Sequence, residues 1–188
     1  MSTKKEKKRA ALLQAALELF SEQGFNGSST ALIAKRAGVA SGTLFFHFKS
    51  KEELIHALFR EVRTNMDNLV LENFPAGTPL RERLLRTLTN FLRYFLAHPD
   101  EFKFAEQYHF SPLSERGEVP PEENKTVRAL LLRARDEQIV KDLPLVCLEA
   151  LAFGPIAALV REHANRGTLI DDEMGRLTIE ACWDGLKR

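Results

Sequence analysis

Four glycines, at positions 24, 27, 38 and 42, divide the first fifty residues of this 188-residue chain into short segments, and no proline occurs before residue 75. Leucine (28 residues) and alanine (20) far outnumber valine and isoleucine (14 together), a balance that favours helices over strands. No segment alternates apolar and polar residues as a half-buried strand would. The sequence therefore predicts an all-α protein, with short N-terminal helices separated by glycines and longer helices separated by prolines.

The spacing of apolar residues predicts about nine helices. The first is expected from about Lys5 to Gln23, with a buried stripe from Leu13 to Phe20 and Gly24 in a left-handed conformation at its end. Ser50 and Glu53 fit the capping box of a fourth helix that extends to about residue 73. The second and third helices are predicted at about 29–36 and 41–47, and the last five at about 78–97, 99–110, 121–138, 143–165 and 171–186, with a loop at 111–120.

Charge is distributed unevenly along the chain, although the formal net charge is only +1. Residues 1–51 hold nine Lys or Arg and three Glu, a net charge of +6, and the remaining residues carry −5. This asymmetry indicates a polyanionic partner for the N-terminal part, and the alternative is that Lys4–Arg9 form a solvated tail. No apolar run reaches the roughly 18 residues of a membrane helix and no signal peptide is present, so we expect a cytoplasmic protein that does not engage a membrane.

Two short helices joined by a turn that contains glycine, after one longer helix, form a helix-turn-helix unit. Gly38 supplies the flexible residue of the turn. Ser41 and Thr43 can present short polar groups to base edges, and Lys49 and Lys51 flank the second helix, where they can contact phosphates. The N-terminal segment is therefore predicted to bind double-stranded DNA.

The same residues resemble the DNA-binding domain of the TetR (tetracycline repressor) family. Residues 33–54 read IAKRAGVASGTLFFHFKSKEEL, and the family pattern runs I-A-x-x-A-G-V-S-x-G-T-L-Y-x-H/Y-F-x-S/N-K-x-x-L. The resemblance covers about residues 8–55. Two departures stand out, because Phe45 replaces a tyrosine whose hydroxyl bonds a phosphate, and Ala40 replaces the usual serine, so that Ser41 is expected to cap the recognition helix.

The resemblance implies a homodimeric transcription regulator, usually a repressor. Its DNA-binding domain would span residues 1–52, and an effector-binding and dimerisation domain would span residues 53–188. The residues that it places at the DNA are Ser28, Ser29, Ser41, Gly42, Thr43, Phe45, Phe46, His47, Lys49 and Lys51.

Seven of the sixteen aromatic residues fall within residues 91–110. Such a cluster fits either a filled helical core or an apolar cavity with a few polar groups, which is the usual form of a small-ligand site. The family resemblance favours the cavity. The candidate ligand-binding residues are Phe91, Tyr94, Phe95, Phe104, Gln107, Tyr108 and Arg128.

Small residues repeat every four positions near the C-terminus, at Ala150, Gly154 and Ala158. This spacing lets another helix approach closely, and Leu177 and Ala181 can complete the same interface. The alternative is packing within one chain. A dimer would hold two recognition helices about one DNA turn apart, roughly 34–36 Å.

Catalytic and metal-binding patterns are sparse. Glu106 and His109 form one Glu-x-x-His motif, whereas di-metal bundles need two. Cys147 and Cys182 are expected to be small buried hydrophobic residues. We therefore predict no enzyme, no metal and no cofactor.

The predicted function is that of a repressor released from a palindromic operator by a small apolar or aromatic ligand. One alternative is a DNA-binding regulator whose C-terminal domain responds to a protein partner or has no small-molecule effector. A helical enzyme is the other alternative, and a perturbed acid–base pair or a bound metal would identify it.

Overall fold

The structure is a computed structural model that describes residues 3–70, 74–114 and 127–188. Within these ranges the chain forms nine helices and, apart from one isolated bridge between Val140 and Lys187, no β-structure, which confirms the all-α prediction. None of these helices is long and apolar enough to cross a membrane. In chain order they are α1 (Lys4–Gly27), α2 (Thr30–Arg36), α3 (Ser41–His47), α4 (Lys51–Val70), α5 (Leu80–Ala97), α6 (Pro99–His109), α7 (Val127–Asp136), α8 (Leu145–Arg166) and α9 (Asp172–Leu186).

The chain divides into two compact units. The first comprises Met1–Arg63 with Asp100–Val119, and the second comprises Thr64–Pro99 with Pro120–Arg188. Almost all of α6 therefore belongs to the same unit as the helix-turn-helix. The division of function after residue 52 stays a prediction, and α4 continues across it.

The core of the first unit is built on α1. Leu13, Ala16, Leu17 and Phe20 are all buried, as their spacing predicts. The end of α1 differs from the prediction, because Gly24 has φ 73° and ψ 174° and forms a kink, after which helical turns continue to Gly27. A positive φ favours glycine at this kink, since a Cβ would be strained there.

The helix-turn-helix follows the predicted boundaries within one residue. Ser29 caps α2 by accepting a hydrogen bond from the Leu32 amide (3.2 Å). Gly38 turns the chain with φ 67°, and Leu44 of α3 is fully buried in the core of the first unit. Before α4, Ser50 Oγ accepts from the Glu53 amide as predicted.

The second unit is formed by α5, α7, α8 and α9, with contacts between α5 and each of the other three and between α8 and its neighbours. Its core includes Leu88, Leu131, Leu148, Ile156 and Ile179. The predicted end of the fourth helix at residue 73, most of the 111–120 loop and the predicted start of the seventh helix at 121 lie outside the described residues.

Candidate nucleic-acid interface

One face of α3 is exposed and carries two large aromatic rings. Phe45 and Phe46 are 54% and 70% exposed, although the adjacent Leu44 is fully buried. Ser41 and Gly42 are exposed at the start of the same helix, and Thr43 and His47 are half-buried. Buried apolar residues therefore hold α3 in place while its outer face presents hydroxyl, imidazole and aromatic groups.

The start of α3 corrects one expectation about Ser41. Ala40 is the N-cap residue and no side chain caps the helix. Ser41 therefore occupies the first helical position, one residue beyond the place from which a hydroxyl reaches the amides of the first turn. Its exposed hydroxyl has no capping role and is available to a partner.

The basic N-terminal residues form helical turns beside α3 rather than a solvated tail. Thr3 and Glu6 form a reciprocal capping box at the start of α1. The Lys5 ammonium lies 5.3 Å from the centroid of the Phe46 ring, and the Arg9 guanidinium lies 5.6 Å from that of Phe48. The first cation–π contact places positive charge on the exposed ring of Phe46, and the second places it over the buried ring of Phe48.

Burial and the positive environment both lower the pKa of His47. Burial lowers the pKa of its imidazole below the ordinary 6.5, and the charges of Lys5, Arg9 and Lys8 lower it further. These three cations belong to the Lys4–Arg9 segment, for which the charge count of residues 1–51 left contact with a polyanion and a solvated tail as alternatives.

The two serines predicted to contact phosphates have different surroundings. Ser28 is fully buried, and its hydroxyl donates to the carbonyl oxygens of Leu19 (3.0 Å) and Gly24 (2.9 Å). The prediction for Ser28 is therefore wrong, because its hydroxyl satisfies carbonyl groups at the kink in α1 and has no surface to offer. Ser29 is exposed at the N-cap of α2, where a phosphate can be reached.

The two lysines at the start of α4 also differ. Lys49 is exposed. Lys51 is half-buried, and its ammonium donates to the backbone carbonyl of Phe25. Lys51 thus joins α4 to the segment after the kink, whereas Lys49 is the more accessible cation.

Comparison with known proteins agrees with this geometry. Residues 12–58 match the family model of bacterial regulatory proteins of the tetR family, and residues 79–187 match that of a tetracyclin repressor-like C-terminal domain. The chain belongs to the TetR family. This is a family of regulatory proteins and not of enzymes.

Relatives match this chain over less than half of its length, whereas solved structures match almost all of it. The fatty acid metabolism regulator protein of Bacillus subtilis is 34% identical over 80 residues, which is 43% of this chain and 41% of that protein, so the chain spans about two fifths of that relative's length. A TetR family transcription regulator from Marinobacter aquaeolei is 28% identical with a TM-score of 0.82, covering 97% of both chains. FadR of Bacillus subtilis in complex with stearoyl-CoA is 20% identical with a TM-score of 0.78, covering 94% of this chain and 98% of that one, and it shares the fold.

The candidate ligand-binding residues of this TetR-family chain do not all lie in one unit. Phe104, Gln107 and Tyr108 belong to the first unit. Phe104 is fully buried and its ring lies 6.1 Å from that of Phe20, while Gln107 Nε2 donates to the Phe20 carbonyl (2.8 Å). Tyr108 stacks on Phe59 at 3.8 Å. For these three residues the structure favours the alternative of a filled core.

The other aromatic candidates form a cluster in the second unit. The Phe91 ring lies 4.9 Å from that of Phe95 and 4.8 Å from that of Phe153, a residue of α8 that sequence reasoning missed because it lies 62 positions after Phe91. Tyr94 and Phe95 are buried. Arg128, by contrast, is exposed and forms an ion pair with Glu149 at 2.9 Å, so it is a surface residue.

All five predicted dimer residues are exposed in the single chain. These are Ala150, Gly154 and Ala158 on α8 and Leu177 and Ala181 on α9. Two further apolar side chains on these helices, Val146 (69%) and Met174 (37%), are also exposed.

The two cysteines lie in different environments, and neither belongs to a metal-binding cluster of the described residues. Cys182 is buried, and burial raises the pKa of its thiol to about 11. Cys147 is exposed at the start of α8, so the expectation that it is buried is wrong. Among the described residues no three His, Cys, Asp or Glu side chains lie close enough together to hold a metal ion.

Proposed function

We propose that this TetR-family chain is a homodimeric repressor that binds a palindromic operator through α3 and is released by a small apolar or aromatic ligand. The exposed face of α3, flanked by the basic first turns of α1, is the observation that carries the DNA half of the proposal. A helix with short polar groups fits the major groove, and neighbouring cations bind the phosphates that border it.

Phe45 and Phe46 suit the same surface. Neither ring can donate a hydrogen bond, but both can pack on sugars or on a thymine methyl group. The proposed base-reading residues are Ser41 and Thr43, and the proposed phosphate contacts are Ser29, Lys49 and the basic residues of α1.

The proposed homodimer rests on the exposed small-residue face of α8 and α9. Exposed apolar side chains beside small residues are typical of a helix interface between subunits. Two copies joined there would present two α3 helices to successive major grooves.

The ligand half rests on the aromatic cluster of Phe91, Phe95 and Phe153 in the second unit. A pocket lined by such rings would accept an apolar molecule. The complex of FadR with stearoyl-CoA supports this choice, since that protein shares the fold and its ligand carries a long apolar chain. Ligand binding would favour a state in which the recognition helices no longer fit the operator, with reciprocal coupling of about 1–3 kcal/mol.

The DNA half is tested by selecting operators from a random duplex library and measuring affinity by fluorescence anisotropy over a range of salt concentrations. We expect one palindromic sequence to emerge and to bind about a thousandfold or more tighter than unrelated DNA. Thr43→Ala should reduce that preference by about 1–3 kcal/mol.

Lys49→Gln should instead weaken binding to all sequences alike and reduce the salt slope by about one. Lys141→Gln, which removes the same charge from the second unit, is the matched control and should leave the slope unchanged. Equal affinity of the wild-type protein for all duplexes would refute specific repression.

A further inference from the structure

The second unit contains a cavity of about 380 Å³ that is separate from the aromatic cluster. It is lined by the segment that leads into α5, by the first turn of α5 and by the end of α7. The lining residues with charged side chains are Arg83, Arg133 and Glu137. Sequence reasoning assigned a net negative charge to this part of the chain and gave no reason to expect a basic cavity here.

Arg83 lines this cavity and carries a hydrogen-bond donor that has no acceptor among the described residues. Its guanidinium lies 5.1 Å from the centroid of the Phe74 ring, and that of Arg86 lies 5.5 Å from the same ring. Arg83 Nε is buried and has no hydrogen-bond partner among the described residues. A buried charged donor without an acceptor is costly, and natural proteins seldom leave one unless a bound water or a ligand supplies the acceptor.

The backbone around the cavity is also suited to negative charge. Thr78 folds the entry segment by donating from both its amide (3.1 Å) and its hydroxyl (2.9 Å) to the carbonyl of Pro75. Pro79 then begins α5 with no side-chain cap, so the first amides of this 18-residue helix have no side-chain acceptor at the cap, although the carboxylate of Glu82 lies in the first turn. Leu80, the first helical residue, lines the cavity.

The carboxylate of Glu137 competes with an incoming anion for the guanidinium of Arg133. Arg133 Nε donates to Glu137 Oε1 at 2.6 Å, and both side chains are substantially exposed. The lining therefore holds two guanidinium groups against one carboxylate. Arg83 is left without a carboxylate partner among the described residues, and Arg133 can exchange its partner for an incoming anion.

We propose that this cavity is a binding site for an oxyanion, either a phosphate or a carboxylate group, held chiefly by Arg83 with help from Arg133 and the start of α5. A planar guanidinium with several donors matches both groups. The inference does not depend on the proposed repressor function, because it concerns a site outside both the α3 surface and the aromatic cluster.

Isothermal titration calorimetry tests the proposal on the full-length protein, with inorganic phosphate in one series and acetate in the other at constant ionic strength. Saturable binding of either ion is the expected result, and the tighter ion identifies the source of the oxyanion. Amide shifts in heteronuclear NMR spectra should be largest at Gly77 and Leu80.

Three variants assign the binding to this cavity. Arg83→Gln should lower the affinity for the anion by about tenfold or more, because one charge-assisted hydrogen bond is lost. Glu137→Gln should tighten it, because the competing carboxylate is removed, and this gain cannot arise from misfolding. Arg166→Gln is the control, since it removes one charge from the same unit at a residue that pairs with Glu162 and does not line the cavity.

Two results would overturn the proposal. One is the absence of saturable binding for both ions. The other is a loss of affinity in Arg166→Gln equal to that in Arg83→Gln, with no gain in Glu137→Gln, which would indicate diffuse screening of surface charge.

Discussion

His47 lies between the hydrophobic core of the helix-turn-helix and its cationic surface. Its ring is 5.3 Å from that of Phe46, and Phe46 in turn contacts the Lys5 ammonium. Burial and the neighbouring cations both disfavour the imidazolium form, which is why the pKa is lowered. In the protein without DNA, these effects favour the neutral imidazole of His47, which can both donate and accept a hydrogen bond.

Replacing Lys5 by Gln should raise the pKa of His47 towards 6.5, the ordinary value. The shift should be measurable by NMR titration of the imidazole protons, with Lys187→Gln as the control. A folded-state pKa below the unfolded one means that protonation favours unfolding, so this contribution to stability is present above about pH 6.5 and declines as the pH falls. An unchanged His47 pKa in Lys5→Gln would show that Lys5 does not act on this ring.

At this scale the sequence pattern located α3 correctly and assigned some individual contacts wrongly. The exposure of Phe45 and Phe46 agrees with the family resemblance, which implied that both positions face the DNA. Ser28 is misassigned because its burial depends on the kink at Gly24, which leaves two carbonyl oxygens to be satisfied. The DNA contact of Lys51 stays a prediction, but its hydrogen bond to the Phe25 carbonyl, 26 positions earlier, could not be predicted from the sequence.

Among the elements, α6 shows the limits of sequence reasoning. Its boundaries were predicted well, and its Phe104 and Tyr108 were candidate ligand-binding residues, with a filled core as the alternative. Phe104 instead packs with Phe20 and Phe25 of α1, and Tyr108 forms a hydrogen bond with His56 of α4 (3.0 Å). Periodicity shows which face of a helix is apolar. It does not show which helix packs on that face, because the contacting residues of α1 lie some eighty positions earlier.

Gln107 provides a test of the attachment of α6 to α1. Gln107→Ala removes the donor to the Phe20 carbonyl near the Gly24 kink and should reduce the free energy of unfolding by about 1–2 kcal/mol. Gln14→Ala, which removes an exposed bond to Glu18, should cost much less. Urea denaturation followed by circular dichroism measures both, and equal effects would mean that the Gln107 bond contributes no more than a surface contact.

For the whole molecule, the exposed face of α8 and α9 is an apolar surface that the described part of the single chain does not cover. Leu177 is 51% exposed and Val146 69% exposed, yet the neighbouring Leu148 and Ile156 are fully buried. The small residues were predicted from their spacing alone, and the structure adds that they face outward. Spacing could not decide this point, because a buried stripe and an interface stripe have the same period.

Gly154 allows dimerisation to be tested apart from folding. A Cβ at this position would meet no atom within 4 Å in the single chain, so Gly154→Leu should fold normally. The added side chain would fill the space that the partner helix needs, and we expect the dimer dissociation constant to rise by about tenfold or more. Operator affinity should fall as the dimer dissociates, since an isolated subunit engages only one half-site.

Analytical ultracentrifugation and fluorescence anisotropy measure the two effects, with the exposed Ala97→Leu on α5 as the control. A Gly154→Leu protein that sediments as a dimer with wild-type affinity would place the subunit interface elsewhere.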